Sequence, residues 1–355
     1  MNSDEKWLGP LFIVGASRSG TAMLRSILNK SQEVNLASET HYFDDLRPRV
    51  INKPVSEMSE EEKKSCTDYF RSQTVRPYGA NGDPAQSSLN PAELLAKAAA
   101  MGDSVDDIFE AYCRMRIAGN KPHIWGEKTP RHVFRIDDIF SVFPNARIIC
   151  MVRDPRAVAA SYRDWNHMGG LPSENNPDYQ AALLKDDARK HASYHIVIAS
   201  MMWRAAANAA FKAAKKYTNK SVRIVRYEDV VDNPEQTTRD LSSWLGIAFD
   251  DAMLDIPLHN SSTIKFAKEA GVSKAPQKRW RKVLSENEVG VIQKVSGKSL
   301  EEAGYEKIST GPGVFSLIGA YITVPFAVVR AARANRSRYN SLSKYIFRRL
   351  KAVLR

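Results

Sequence analysis

The amino-acid sequence predicts an α/β fold in which a parallel β-sheet is flanked by helices. Short apolar runs typical of buried strands alternate with helical patterns, and loops that carry glycine or charge follow two of the runs. This alternation favours strand–helix–strand units with helices packed against the sheet. With 355 residues, of which 43% are hydrophobic, the chain is long enough to bury the core that such a fold needs.

Four short apolar runs predict buried strands, and helical periodicity or capping signals predict the helices between them. The predicted strands are 11–14, Val34–Ala37, Arg147–Val152 and 222–225. The predicted helices cover 20–29, 92–119 and Ile196–Lys216, or begin at Ser59, Arg156, Asn233 and Ser285, with capping boxes at Ser59 and Ser285. Residues 79–91 and 169–177 are rich in Gly, Pro, Asn and Ser and predict loops.

The net charge of +12 is concentrated at the end of the chain. Nine basic residues and no acidic residue lie within 330–355, so the part of the chain before them carries a charge of only +3. A basic chain favours nucleic acid, a membrane surface or a polyanionic substrate, but a nearly neutral body argues against bulk binding of nucleic acid. Three widely spaced cysteines and an N-terminus without a long apolar core predict a reducing, cytoplasmic location.

Two loops at strand ends carry residues suited to phosphate binding. Residues 15–21 (GASRSGT) join a strand to a helix, and such a loop presents backbone N–H groups to a phosphate. The loop resembles a P-loop, but Thr21 stands where the nucleotide-hydrolysing motif has Lys, and Arg18 offers a bidentate guanidinium instead. Arg153 and Ser161 follow the third predicted strand and can bind a second phosphate. Each feature taken alone also has an explanation without a phosphate. The first loop can be a simple turn, Arg153 can form a salt bridge and Ser161 can lie on a helix surface.

Together, the two segments resemble the two cofactor signatures of the sulfotransferases that use 3′-phosphoadenosine 5′-phosphosulfate (PAPS). The resemblance covers about 10–305 and includes GEKTP at 126–130, VRYED at 225–229 and the closing stretch that begins with GVSKAPQKRW at 271–280. It implies a P-loop-like parallel sheet and an enzyme that moves a sulfuryl group from PAPS to a hydroxyl or amine. We accordingly expect a sulfotransferase domain over 1–310.

The resemblance also implies which residues bind the donor. The 5′-phosphosulfate loop corresponds to Ser17, Arg18, Ser19, Gly20, Thr21 and Ala22, the 3′-phosphate pair to Arg153 and Ser161, and the adenine contact to Tyr227. Many members have Lys where Arg18 stands, whereas the tyrosylprotein sulfotransferases have Arg. Cytosolic sulfotransferases place a stacking Trp where this chain has Met23. Their C-terminal R-K-G phosphate loop is also missing, with Ser273, Lys274 and Arg279 as loose substitutes.

Glu39 is the predicted general base, because the stretch ASETHYF around it resembles both the K-E-P-H-F-F of heparan sulfotransferases and the E-T-R of tyrosylprotein sulfotransferases. A carboxylate beside the donor can take the proton of an acceptor hydroxyl as that oxygen attacks sulfur. His41 is interpreted as an orienting residue, with a role as the base as its alternative, and Glu127 as the fallback base. Lys128 is expected near the sulfuryl group or the acceptor. Arg18 and backbone N–H groups are expected to neutralise the charge that grows on the leaving phosphate, and because a sulfuryl group carries less charge than a γ-phosphoryl group, no metal ion is expected. The alternative role for Glu39 is a stabilising charge at a helix N-terminus, and the alternative for Lys128 is a solvated lysine in a loop.

The C-terminal stretch 311–355 is predicted to be a helical, basic tail separate from the domain. Residues 314–329 carry no charge, and after them Leu, Ile, Tyr and Val recur at helical spacing among Arg and Lys. This pattern is typical of an amphipathic helix on an anionic membrane and predicts peripheral or re-entrant attachment at its inner face. Packing of these helices on the domain and a membrane span are the alternatives. A span would include Pro325 and would oppose the positive-inside tendency.

The residues around Glu39 combine heparan-like and tyrosine-like features, which predict a glycan, glycolipid or other envelope acceptor without selecting one. Two functions of other classes remain as alternatives. One is a P-loop kinase or nucleotide hydrolase, against which the missing Lys weighs. The other is a membrane or nucleic-acid adaptor that acts through the tail.

Overall fold

The computed structural model describes residues 7–50, 53–75, 82–115, 124–164, 177–256, 271–272, 274, 277–311 and 313–336. It confirms the predicted α/β class, because the strands within these residues form one parallel sheet with helices around it. The strands are β1 (Leu11–Gly15), β2 (Val34–Ala37), β3 (Ile124–Lys128), β4 (Arg147–Val152) and β5 (Val222–Arg226). Their spatial order is β2-β3-β1-β4-β5.

Helices connect and cover the strands. In chain order they are α1 (Thr21–Leu28), α2 (Tyr42–Asp45), α3 (Arg47–Val50), α4 (Glu60–Val75), α5 (Pro91–Ala99), α6 (Val105–Met115), α7 (Ile136–Val142), α8 (Pro155–Arg163), α9 (Pro177–Ser193), α10 (Ile196–Lys216), α11 (Tyr227–Asp232), α12 (Pro234–Leu245), α13 (Trp280–Val283), α14 (Glu286–Ser296), α15 (Lys298–Glu302), α16 (Val314–Ile322) and α17 (Val324–Ala334). Short 3₁₀ helices occupy Val55–Glu57, Pro84–Gln86, Pro130–Phe134 and Asp251–Leu254.

β1 lies at the centre of the sheet, where it pairs with β3 on one side and β4 on the other. Its successive side chains alternate between two cores: Phe12 and Val14 pack with α6 and α10, and Leu11 and Ile13 pack with α1 and α12. Because every pairing is parallel, the carboxyl ends of the strands meet at one edge of the sheet. The loops that carry the sequence motifs therefore lie side by side at that edge.

The structure adds β3 to the four predicted strands. Its sequence, IWGEK, has no continuous apolar run, yet all five residues are buried. Gly126 lies so close to β1 that a Cβ atom there would stand 1.9 Å from the Leu11 carbonyl oxygen. Glu127 can be buried because the groups that satisfy it lie on other segments, and those partners are not visible in local composition.

The predicted helix over 92–119 is wrong in extent, because the chain forms two helices there, α5 and α6, with a turn between them. Ser104 and Asp107 start α6 by reciprocal capping. The Ser104 N–H donates to the Asp107 carboxylate at 2.8 Å, and the Asp107 N–H donates to the Ser104 hydroxyl at 3.2 Å. The end of the predicted helix, 116–119, lies outside the described residues.

The other predicted signals agree with the structure where it describes them. The capping boxes that begin at Ser59 and Ser285 are confirmed, and α12 ends at Gly246 in a left-handed conformation. The three cysteines are buried and unbonded. Parts of the predicted loops and tail, 79–81, 169–176 and 337–355, lie outside the described residues.

Replacement of Gly126 by Ala is expected to destabilise the fold, because the new methyl group would overlap the Leu11 carbonyl where β1 and β3 pair. We expect the free energy of unfolding, measured by urea denaturation, to fall by about 3 kcal/mol. Gly246→Ala is the matched control. No atom lies within 4 Å of a Cβ there, so only the left-handed φ of 74° opposes the change, by about 1 kcal/mol. Equal losses in the two variants would contradict the close approach of the strands.

Candidate active site

The loop between β1 and α1 forms a cradle for an anion, with Ser17 within it and Ala22 in the first turn of α1. Gly20 precedes the helix with a left-handed φ of 87°. A Cβ atom on Gly20 would stand 2.5 Å from a ring carbon of Tyr227, so this turn requires glycine. Ser19 is fully buried, and its hydroxyl has no hydrogen-bond partner within the described part of the chain. This hydroxyl and the N-terminal amides of α1 are available to an oxyanion.

Arg18 joins this loop to the segment that follows β4. Its backbone adopts a left-handed φ of 70°, and its Nε donates a hydrogen bond of 2.9 Å to the Ser161 hydroxyl in α8. Its carbonyl oxygen accepts a hydrogen bond of 3.0 Å from Arg153 Nη1. The Arg153 guanidinium also lies 4.0 Å from the centre of the Tyr227 ring. The structure therefore brings these four predicted donor-binding residues into one connected cluster.

Buried contacts hold the segment after β4 in place. Asp154 caps α8 by accepting a hydrogen bond of 2.8 Å from the Arg156 N–H, and the same carboxylate pairs with the Arg156 guanidinium at 2.8 Å. Trp203 Nε1 donates a hydrogen bond of 2.8 Å to the Arg153 carbonyl. These contacts fix the direction in which the Arg153 side chain leaves the end of the strand.

Tyr227 begins α11 directly after β5, and it is only 5% exposed. Burial raises the pKa of its hydroxyl, so the ring stays neutral at physiological pH. The next residue, Glu228, accepts hydrogen bonds from the Tyr305 hydroxyl at 2.6 Å and from the Asp154 N–H at 3.2 Å. The aromatic face beside Arg153 is thus anchored both to the neighbouring strand end and to the last part of the domain.

Glu39 and Lys128 meet toward the other end of the sheet edge. Glu39 follows β2, Lys128 is the last residue of β3, and the lysine Nζ forms an ion pair with Glu39 Oε1. His41 Nε2 lies 3.5 Å from Glu39 Oε2. Burial raises the pKa of the Glu39 carboxyl, but contacts with Lys128 and His41 outweigh it and hold that pKa well below its usual value. The Glu39 side chain keeps 26% exposure, so an acceptor group can reach it.

Glu127 lies next to Lys128 in the chain but faces the core. Its side chain and that of His132 have no exposed surface, and Glu127 Oε1 lies 2.6 Å from His132 Nδ1. Its Oε2 accepts hydrogen bonds from Thr40 and Thr129. The structure thus argues against the fallback role of Glu127 as a base. Sequence reasoning gave no role to Thr40, although it lies in the stretch ASETHYF, or to His132, and no local signal marks either residue as a partner of Glu127.

The site groups follow the spatial order of the strands. Across the edge lie, in order, the Glu39 carboxylate after β2, the Lys128 ammonium at the end of β3 and the loop of 15–20 after β1. The Arg153 guanidinium after β4 and the Tyr227 ring after β5 complete the row. A proton acceptor therefore lies on one side of an anion cradle, and a cationic and aromatic surface lies on the other. This row suits transfer of a charged group from a phosphorylated nucleotide to an acceptor beside the carboxylate.

The loose substitutes for the missing phosphate loop are paired with carboxylates. Lys274 Nζ lies 3.4 Å from Asp232 Oδ1, and Arg279 Nη2 lies 2.6 Å from Asp164 Oδ2. Ser273 lies outside the described residues, and Met23 is partly buried against the apolar core that includes the Tyr227 ring. Within the described ranges, no group of three or more His, Cys, Asp or Glu side chains is arranged to hold a metal ion.

Comparisons with known proteins agree with this arrangement. A model of the sulfotransferase family matches residues 10–251. The chain is 22% identical over 253 residues to protein-tyrosine sulfotransferase A of Caenorhabditis elegans and 26% identical over 196 residues to nodulation protein NoeE of Sinorhizobium fredii. These alignments cover 69% and 51% of this chain, and 51% and 44% of the relatives. The chain thus spans about half the length of the curated relatives it matches.

A solved structure shares the fold. The sulfotransferase domain of the Synechococcus PCC 7002 olefin synthase superposes with a TM-score of 0.52 at 19% identity, over 87% of this chain and 99% of that domain. At this identity the likeness shows the fold alone. The family match, however, spans every strand of the sheet and both predicted phosphate-binding segments, and on that ground the chain belongs to the sulfotransferase family.

Proposed function

We propose that this chain moves a sulfuryl group from PAPS to a hydroxyl or amine of a glycan, glycolipid or other envelope molecule. The observation that carries the proposal is a connected cluster of donor-binding side chains beside a carboxylate–lysine pair: Arg18, Arg153, Ser161 and Tyr227, with Glu39 and Lys128. A kinase or nucleotide hydrolase is the alternative, but Thr21 occupies the position of the lysine that those enzymes need.

The described residues fit a donor with two separate phosphate groups. The cradle of 17–22 offers backbone amides and the buried Ser19 hydroxyl to the 5′-phosphosulfate. Arg153 and Ser161 offer a guanidinium and a hydroxyl to the 3′-phosphate, and Tyr227 offers a neutral ring to the adenine. A nucleotide without a 3′-phosphate would leave the Arg153 guanidinium without its anionic ligand.

In the proposed reaction, the acceptor hydroxyl gives its proton to Glu39 as its oxygen forms a bond to sulfur. The bond between sulfur and the 5′-phosphate oxygen breaks. Its electron pair stays on that oxygen, and the nucleotide leaves as 3′-phosphoadenosine 5′-phosphate (PAP). Arg18 and Lys128 neutralise the charge that grows on the leaving phosphate and the sulfuryl oxygens. The Lys128 contact also keeps Glu39 ionised and so able to accept a proton.

A hydroxyl acceptor is supported by the relatives, one of which is named for sulfation of protein tyrosine. An envelope acceptor is supported by the apolar surface of the C-terminal helices, which would hold the enzyme beside membrane-borne molecules. Incubation of a host extract with labelled PAPS, followed by identification of the sulfated product, tests both parts. Activity with ATP and Mg²⁺ and none with PAPS would favour the kinase instead.

The C-terminal helices α16 and α17 turn large apolar side chains to solvent along one stripe: Val314, Phe315, Ile318, Ile322, Phe326 and Val329. Phe315 is 90% exposed. The opposite face packs on the domain, where Leu317, Ala320 and Val324 contact side chains of α10 and α14. Arg330 Nε donates a hydrogen bond of 2.8 Å to the Ala192 carbonyl at the end of α9. One face of this segment is therefore committed to the domain, and the other is uncovered.

We propose that a membrane interface covers this stripe. By length and composition Val314–Ala334 is apolar enough to cross a membrane, but a span would have to give up the packing on α9, α10 and α14. Attachment in the plane of the interface keeps that packing and buries the stripe in lipid. The eight basic residues after Arg330 would supply attraction to anionic headgroups, and on that ground we propose that the domain lies at the cytoplasmic side of the membrane.

Glu39→Gln is expected to lower turnover at least about 100-fold with PAP binding unchanged, because the amide cannot accept the acceptor proton. Turnover is measured as PAP release from PAPS in the presence of the acceptor found in the host extract, and PAP affinity by calorimetry. Glu93→Gln, at a carboxylate on the surface of α5, is the matched control and should leave both unchanged. Full turnover in Glu39→Gln would assign the proton to another group.

Arg153→Ala is expected to weaken PAP binding about tenfold or more, since it removes a charged partner of the 3′-phosphate. Binding of adenosine 5′-phosphosulfate, which lacks that phosphate, should change much less, and both affinities are measured by calorimetry. Arg239→Ala removes a surface guanidinium of α12 and serves as the control. Equal losses for the two nucleotides would remove Arg153 from the 3′-phosphate site.

Replacement of Phe315 and Phe326 together by Ser is expected to weaken binding to vesicles about tenfold or more, because both rings lie on the uncovered stripe. The thermal unfolding temperature should stay unchanged, since neither ring is part of the core. Sedimentation with phosphatidylglycerol-containing and purely phosphatidylcholine vesicles measures the binding and its dependence on lipid charge. Met101→Ser changes an exposed apolar residue elsewhere on the protein and is the control. An equal loss of vesicle binding in that variant would contradict the proposal that the stripe binds the membrane.

A further inference from the structure

The turn that carries Glu39 is held to the end of β3 by two separate contacts. Glu39 pairs with Lys128 at the site, and the next residue, Thr40, is bonded to Glu127 in the core. Thr40 donates its N–H to Glu127 Oε2 and to the Thr129 hydroxyl, both at 3.2 Å, and its own hydroxyl to Glu127 Oε2 at 2.5 Å. Thr40 and Glu127 have no exposed surface, so substrates reach the first contact but not the second.

Glu127 is fixed on its other side as well. Its Oε1 lies 2.6 Å from His132 Nδ1, and the Thr129 hydroxyl donates a hydrogen bond of 3.1 Å to Oε2. Burial raises the pKa of the Glu127 carboxyl, but His132 and the hydroxyl donors outweigh it and hold that pKa below its usual value. Glu127 therefore stays a carboxylate inside the core, and the carboxylate is the form that can accept all of these hydrogen bonds.

His132 links this carboxylate to the helix that follows the base. It lies in the 3₁₀ helix Pro130–Phe134, and its ring packs edge-to-face on Phe43 of α2 with the ring centres 5.2 Å apart. Between Thr40 and Phe43 lies His41, whose left-handed φ of 57° is uncommon for a residue other than glycine and is sustained by its surroundings. The Glu127–His132 pair thus contacts the turn on both sides of its strained residue.

We infer that the Glu127–His132 pair is a positioning unit, which holds Thr40 and Phe43 and thereby sets the place of Glu39 relative to Lys128 and an incoming acceptor hydroxyl. The inference rests on the proposed function, in which Glu39 is the base. Neither member of the pair touches substrate, and both act through the turn. A small movement of the turn is enough to matter, because a displacement of about 1 Å at a reacting group can lower a rate about 100-fold.

Variants of the full-length protein at Thr40 and Glu127 test this unit. Thr40→Val keeps the shape of the side chain but removes the hydroxyl, which donates to Glu127 and accepts the Tyr42 N–H at 3.1 Å. Thr40→Ser keeps that hydroxyl, and Glu127→Gln removes only the charge of its partner. PAP release from PAPS is measured in the presence of 4-nitrophenyl N-acetyl-β-glucosaminide, so that transfer and donor hydrolysis are both counted. We expect kcat to fall about 10- to 100-fold in Thr40→Val and Glu127→Gln, with PAP affinity unchanged and with Thr40→Ser close to the unmodified protein.

Two further measurements separate positioning from general stability. The acidic limb of the kcat pH profile should move to higher pH in Glu127→Gln, because a loosened turn weakens the contacts with Lys128 and His41 that hold the Glu39 pKa low. Hydrogen exchange of the peptide that covers 37–44 should become about tenfold faster, since the Thr40 amide loses the charged one of its two acceptors and keeps only neutral ones, among them the Thr129 hydroxyl. Exchange in the peptide over α1 should stay the same and serves as the internal control.

The outcomes separate this inference from the proposed base. If turnover is unchanged in Thr40→Val while Glu39→Gln is inactive, the positioning role of the Glu127–His132 pair is overturned and Glu39 remains the proposed base. Full turnover in Glu39→Gln would contradict the role of Glu39 as the base. In that case, unchanged hydrogen exchange over 37–44 in Glu127→Gln would also show that Glu127 does not hold the turn. In the double variant, Glu127→Gln should lower kcat no further than Glu39→Gln does alone. An additive loss of kcat would show that Glu127 does not act through Glu39. If Glu127→Gln fails to fold, the Thr40→Val and Thr40→Ser pair decides.

Discussion

The parallel pairing of β1 with both β3 and β4 is the constraint on which the site depends. The register sets Ile13 beside Lys128 and Gly15 beside Met151, so the phosphate cradle begins between the ammonium on one side and the strand end of Arg153 on the other. Both pairings bring backbones close together. A Cβ atom on Gly15 would stand 2.2 Å from the Met151 carbonyl oxygen, and a Cβ atom on Gly126 would stand 1.9 Å from the Leu11 carbonyl oxygen. Two glycines thus set the spacing of the three central strands, which lead to Lys128, the loop of 15–20 and Arg153.

The parts of the fold that the sequence predicts are those whose signal is local. Residues 11–14 of β1 and 148–152 of β4 are continuous apolar runs that precede a glycine loop and a charged loop. Each capping box, at the start of α4 and of α14, lies within four consecutive residues. β3 escapes prediction because it buries a carboxylate and an ammonium, which only distant partners make tolerable. The division of 92–119 into two helices is also missed, since helical periodicity on both sides conceals the cap at Ser104.

The same distinction applies to the site. The phosphate cradle and the segment from Arg153 to Ser161 are contiguous motifs that the sequence itself displays, and the fold adds their contact through Arg18. Thr40 and Glu127 are separated by 87 positions, and nothing in either local sequence indicates that they are bonded. A motif predicts which residues meet the substrate, whereas the residues that hold those groups in place emerge only from the packing of distant segments.

Stability alone does not account for the buried Glu127–His132 pair. Removing a carboxylate and an imidazole from water is costly, and an apolar pair of similar volume is often at least as stable in a core. What an apolar pair would not supply is an acceptor for the Thr40 hydroxyl and a charged acceptor for the Thr40 amide, which would keep only the Thr129 hydroxyl. Successive side chains of a strand point to opposite faces, so Lys128 pairs with Glu39 at the site while Glu127 is bonded to the same turn in the core. In the function we propose, β3 would therefore set both the charge environment of Glu39 and its position.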